Sequence, residues 1–247
     1  EEVLNFWGQT TPMALKAGGL GVRDLRDLTA HLGVEGECAS FIAEVAYISG
    51  LVTIDPDDRI LPTHQFDIWL SQPASSKWEL LVSSWLITSR MSGLDAAPLG
   101  PELDRSTAAT IRRKVLSLLE STPAISPTAD SLLATVQWSL PYRRTGGVPA
   151  EYIQWITREA EWLGVTAQGA ISAYGAALLK GEEVTAIDGD LPKSVDHILI
   201  QSDNTAIAPG PLEHEVAQEL DLIADIESRG AATVFRFSEA SLRRGLD

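Results

Sequence analysis

The chain has 247 residues, a formal net charge of −15 and 45% hydrophobic side chains that include seven Trp, enough for packed cores and against disorder. The length allows one large domain or two to three small ones. No apolar run approaches the ~18 residues of a membrane span and no signal peptide is visible, while the single Cys38 excludes intrachain disulfides and thiolate zinc clusters, which together fit a reducing cytoplasm.

The first third begins with a short helix, Glu2 to Trp7. MALKAGGLG follows as a strand and turn, with Gly19 and Gly21 read as structural. From Val22 to His31 the apolar residues Val22, Leu25, Leu28 and Leu32 recur at helical spacing, and Gly33 stops the run. Glu35 to Ser49 repeats the pattern and closes at Gly50. Cys38 lies on the apolar face of this helix and reads as a buried structural thiol, with a reactive thiol as the alternative. LVTIDPDDRILPT then alternates on both sides of Asp55-Pro56-Asp57-Asp58, a hairpin. Helix, short turn, helix, hairpin is the winged-helix order. Two further helices, Gln65 to Leu70 and Ser75 to Thr88, carry the stripe Trp78, Leu81, Val82, Trp85 and Leu86, which reads as core with a ligand-stacking platform as the alternative. Ser89 to Pro101 has the composition of a linker.

The second third repeats the plan. Arg105 to Glu120 is a helix, Ser126-Pro127 opens a second, and Glu151 to Leu163 is a third. PYRRTGGVP lies between the last two as a loop. A small hairpin and a helix follow in LGVTAQGAISAYGAALL. GEEVTAIDGDLP, Gly181 to Pro192, is an acidic linker. In the last stretch HILIQSDNTAIA reads as one strand, followed by a helix ending in IADIESR at Gly230, a strand in ATVFRF and a helix opened by Ser238. The expected fold class is mainly α with small β elements (α+β): winged-helix-like domains at 1–95 and 96–190, then a β-α-β-α module at 191–247.

The strand ILIQSDNTAIA, the segment IADIESR and the strand-then-helix VFRFSEASL resemble the region that precedes the motor in XPB-like DNA helicases, labelled a helicase-associated domain in bacterial chains. KAGGLGVRDLRDLTAHLGV and REAEWLGVTAQGAISAYGAALL are similar to the middle of longer bacterial proteins of that kind. The resemblance makes Gln201, Ser202, Asp203 and Glu227 its signature residues. It implies a DNA-related role, either engagement of DNA or positioning of a helicase or repair partner. The alternative is a protein-interaction scaffold or transcription-linked regulator with little DNA affinity. With no initiator Met and helical patterns at both ends, the chain reads as a fragment of a longer protein.

No phosphate-binding GxxxxGK[ST] loop occurs, since Gly18-Gly19-Leu20-Gly21 lacks the Lys-Ser or Lys-Thr that must follow. The fragment is therefore expected to be non-catalytic, with no cofactor and no metal. His214-Glu215 has Gln218 where a zinc helix needs its second His, and His31, His64 and His197 are dispersed. Asp196-His197 reads as a loop dipeptide. Gln201-Ser202-Asp203, polar in an apolar strand, needs partners, either from a neighbouring turn or from nucleic acid or a partner domain.

Every third of the chain is acidic: residues 1–100 hold 6 basic and 13 acidic side chains, 101–190 hold 8 and 11, and 191–247 hold 5 and 10. DNA contact then requires local patches, because phosphate neutralisation needs Lys and Arg. The candidates are Arg112, Arg113, Lys114, Arg143, Arg144, Arg236, Arg243 and Arg244, with Arg143-Arg144 favoured by the flanking glycines. The helix Glu35 to Ser49, where a winged helix would read bases, has no Lys or Arg and holds Glu35, Glu37 and Glu44, which points to packing or protein contacts.

Overall fold

The computed structural model describes residues 1–94, 96–122, 125–139, 147–230 and 232–246, and of His214 and Arg229 the backbone alone. The protein is mainly α with small antiparallel sheets. It divides into two compact units, Glu1–Ala186 and Ile187–Asp247.

The first unit starts with α1 (Glu2–Thr10), α2 (Val22–Leu32) and α3 (Gly36–Ile48). Gly33 caps α2 in the left-handed region at φ 64°, which glycine occupies without a Cβ penalty. The hairpin of β1 (Val52–Ile54) and β2 (Ile60–Pro62) follows, its tip held by Asp55, which accepts from the Asp57 and Arg59 amides and the Arg59 side chain. Then come α4 (His64–Leu70) and α5 (Ala74–Ile87). The rest is α6 (Ala108–Ser121), α7 (Ala129–Ser139), α8 (Ala150–Trp162), the short hairpin of β3 (Thr166–Ala167) and β4 (Ala170–Ile171), and α9 (Ala173–Lys180).

Two apolar clusters hold this unit, and α3 belongs to both. Ala39, Ala43 and Ala46 pack with Trp7, Leu20, Leu28 and Ile60. Phe41 and Val45 pack with Trp85, Ile111, Leu116, Ile153 and Val165. Residues 1–95 and 96–190, expected as separate domains, thus share a core. The stripe of α5 explains this: Val82, Trp85 and Leu86 are buried between α3 and the later helices.

The segment 89–101 is not a linker. Met91 and Leu99 are buried, the Leu20 amide donates to the Pro98 carbonyl at 2.6 Å, and Arg90 pairs with buried Glu44 at 2.7 Å. Its glycines serve close packing, not flexibility. A β-carbon at Gly93 would fall inside the Trp155 ring and one at Gly100 would meet the Ala97 carbonyl, while one at Gly19, outside the segment at φ 90°, would meet the Pro98 carbonyl. Gly21, by contrast, has an ordinary φ of −68°. The division between the units falls inside the expected acidic linker, which contains the short α10 (Ile187–Asp190) and buries Val184 and Ile187.

The second unit differs from its sequence pattern in two places. HILIQSDNTAIA is a hairpin, β5 (Leu199–Ile200) and β6 (Thr205–Ala208), because Asn204 at φ 64° turns the chain. After α11 (His214–Ile223), DIESR is strand β7 (Asp225–Arg229), paired to β8 (Thr233–Arg236). The helix pattern overran because Ile223 and Ile226 fall at helical spacing. The sheet order is β5-β6-β8-β7, and α12 (Glu239–Arg244) closes the unit over a core of Ala206, Ala208, Leu220, Ala224 and Phe235. No helix among the described residues is long and apolar enough to cross a membrane.

Candidate functional site

The signature residues gather at one end of the four-stranded sheet. Gln201, Ser202 and Asp203 form the β5–β6 turn itself instead of pinning a neighbouring one. The Thr205 amide and hydroxyl both donate to Asp203 Oδ1, at 3.2 and 2.6 Å, and Gln201 Oε1 lies 3.0 Å from the same hydroxyl. Glu227 is the extra residue of a bulge between Ile226 and Ser228 on β7 and pairs with Arg236 of β8 at 2.7 Å. The Arg236 guanidinium also reaches the Asp203 carbonyl at 3.4 Å. The Thr205 hydroxyl, with its amide and nearby Arg236, holds the Asp203 carboxyl below the usual range. The Glu227 carboxylate raises Arg236 further. Ser202 is exposed at the tip.

The other candidate cations are scattered. Arg112, a candidate DNA contact by sequence, is fully buried. Its guanidinium donates to the carbonyls of Trp85, Thr88 and Arg90 at 2.7–3.0 Å and lies 3.7 Å from Glu159. It closes the C-terminal end of α5, whose last carbonyls have no helical partner, so it is unavailable to phosphate. Arg113 is exposed and Lys114 half-buried. Arg243 pairs with Glu239 at 2.6 Å. Arg244 pairs with Asp225 at 2.9 Å and donates to the Asp221, Leu222 and Ala224 carbonyls. Arg143 and Arg144 lie outside the described residues, as does the side chain of His214.

The expected base-reading helix, α3, has no exposed residue beyond its first turn. Its Glu44 is buried and accepts from both Arg90 and the Leu99 amide. The third helix of the second repeat, α8, is also engaged on its inner face: the Trp162 ring lies tilted against Phe41 with centroids 5.4 Å apart, and Arg158 pairs with Glu37 while lying over the Trp155 ring. Glu159 accepts from Trp85 and Ser92 at 2.7 and 2.6 Å. Burial pushes its carboxyl up, against the pull of Arg112 and these hydrogen bonds. Sequence reasoning missed this network, because Arg112 sits in the run Arg112-Arg113-Lys114 and Glu159 beside Arg158, where nothing local marks an inward charge. Cys38 is half-buried, and burial pushes its thiol up. No group of three metal-ligating side chains occurs among the described residues.

Residues 198–247 match the family model of the helicase conserved C-terminal domain. The match runs from the start of the β5–β6 hairpin through α12, so the helicase-type segment takes in the whole sheet, both covering helices and the Asp203–Arg236–Glu227 cluster. It is similar to a helicase-associated C-terminal domain. No curated protein matches the chain.

Proposed function

We propose that this chain is a non-catalytic, helicase-associated part of a larger cytoplasmic bacterial protein, XPB-like in its last segment, which serves DNA processing by positioning a partner. The observation that carries this reading is the burial of α3, together with α8 packed against it. The helix, helix, helix, hairpin order occurs twice in the first unit and supports tandem winged-helix-like repeats. The third helix of the first repeat is spent on packing and is not free to read a major groove, whereas α8 buries its apolar face and keeps Glu151, Gln154 and Arg158 exposed. The helicase-type segment supplies the link to DNA processing. Any direct DNA contact falls to the second repeat and the last segment, through Arg113, Lys114, Arg143, Arg144 and Arg243.

A fluorescence titration of the whole chain with labelled duplex and single-stranded DNA tests this. The expected outcome is weak binding that falls steeply with salt and weakens further in Arg143→Ala/Arg144→Ala. Tight duplex binding that survives physiological salt would overturn the reading. The net charge of −15 favours the scaffold alternative, to which absence of binding at low salt would point. The purified chain with magnesium and ATP, with or without DNA, should turn over at background. DNA-stimulated hydrolysis abolished by one point mutation would refute a non-catalytic role.

A further inference from the structure

The first unit keeps a cavity of about 200 Å³ at the join of its two apolar clusters. Val3 of α1, Ile42 of α3, Trp69 of α4, Leu81 of α5 and Trp162 of α8 are among its walls. Ala46 and Leu51 belong to one cluster and Phe41 and Val45 to the other, so the cavity lies where α3 serves both. On α3 the lining positions Cys38, Ile42 and Ala46 follow every fourth residue and form one stripe. Small side chains at both ends of that stripe leave the space open. Packed interiors hold few voids larger than a water molecule, and unfilled volume lowers stability. A cavity retained at that cost points to an occupant.

The walls select the occupant. Glu1 is the single charged side chain among them, and it is exposed. Burial lowers the Glu1 amino group and raises the Cys38 thiol, so both lean to their neutral forms. The Trp69 indole N–H already donates to the Lys77 carbonyl at 3.1 Å. What remains is chiefly hydrocarbon, aromatic faces and one thiol sulfur, surroundings that suit an aromatic ring. A carboxylate entering would lose water and meet no cationic side chain. Drug-sized ligands need about 300 to 1,000 Å³, whereas an apolar cavity of about 150 Å³ stays dry and takes up benzene. We propose that this cavity binds a small uncharged aromatic molecule, a single ring with a short apolar substituent. The proposal is independent of any DNA contact.

The probe is fluorobenzene, titrated into the whole chain and followed by fluorine NMR. Binding should saturate at one molecule per chain, with a Kd on the order of 1 mM or tighter. Amide exchange in α3 should slow as the site fills. A 4-fluorobenzoate probe of similar size should bind at least about tenfold more weakly, because its carboxylate would be buried without a partner. Ala46→Leu fills the cavity from the buried end of the α3 stripe. It should lose fluorobenzene while the melting temperature holds or rises. Cys38→Phe fills the cavity from the other end of the stripe and serves if Ala46→Leu does not fold. Absence of binding, or binding that never saturates, would overturn the proposal. Equal affinity for 4-fluorobenzoate would overturn it too, since the site would then not be an apolar one. So would fluorobenzene binding unchanged in a folded cavity-filling variant, which would place the probe elsewhere on the chain.

Discussion

Arg112 shows how burial reverses the meaning of a residue. In RRK its position looks like a basic patch, yet its guanidinium satisfies three carbonyls at and just beyond the end of α5 and lies 3.7 Å from Glu159. Removing one partner of a buried pair strands the other charge, so Arg112→Ala should cost about 3 to 5 kcal/mol, read as a lower denaturation midpoint. Thr205 sets the protonation of Asp203 in the same local way. Its hydroxyl proton has two acceptors in reach, and Asp203 is the nearer. The Asp203 carboxyl is depressed in the fold, so its stabilisation is present above the unfolded value and is lost as pH falls through the folded one. Thr205→Val should raise that carboxyl in a carbon-detected NMR titration. The stability lost in the variant should be greatest near about pH 7 and should shrink in acid.

At the scale of elements, α12 depends on its start. Ser238 accepts from the Ser241 amide at 3.0 Å while Ser241 Oγ accepts from the Ser238 amide, a reciprocal cap. Ser241 also donates to the Ile223 carbonyl, tying α12 to the end of α11. Ser238→Ala should cost about 1 kcal/mol and speed amide exchange in α12, with no change in α3. The opposite outcome, slow exchange in α12 and faster exchange in α3, would contradict this account. Strand β7 is decided at the same scale. DIESR is compatible with a helix by spacing, and only the neighbouring β8 makes the strand preferable.

The whole molecule is two units of unequal core. Residues 1–186 hold both large clusters, whereas the core of the second unit has five buried apolar residues among the described residues. Small cores are marginal, so calorimetry should resolve two transitions with the second unit melting first. Ser238→Ala should move only the lower transition and Arg112→Ala only the upper. A single transition shifted by both would contradict independent melting.

The sequence by itself determined the mainly α class, most helix positions, the β1–β2 hairpin and the helicase-like character of the last segment. These rest on local periodicity, glycine stops and a contiguous motif, which one stretch of chain carries alone. Only the tertiary structure decided that α3 is interior, that Arg112 faces inward and that 89–101 is packed. It also decided that Asp203, Arg236 and Glu227 meet. Each of these depends on which residues far apart in the chain come to share a core or a ladder. A charge within an apolar helix pattern looks the same in sequence whether it faces water or a buried partner.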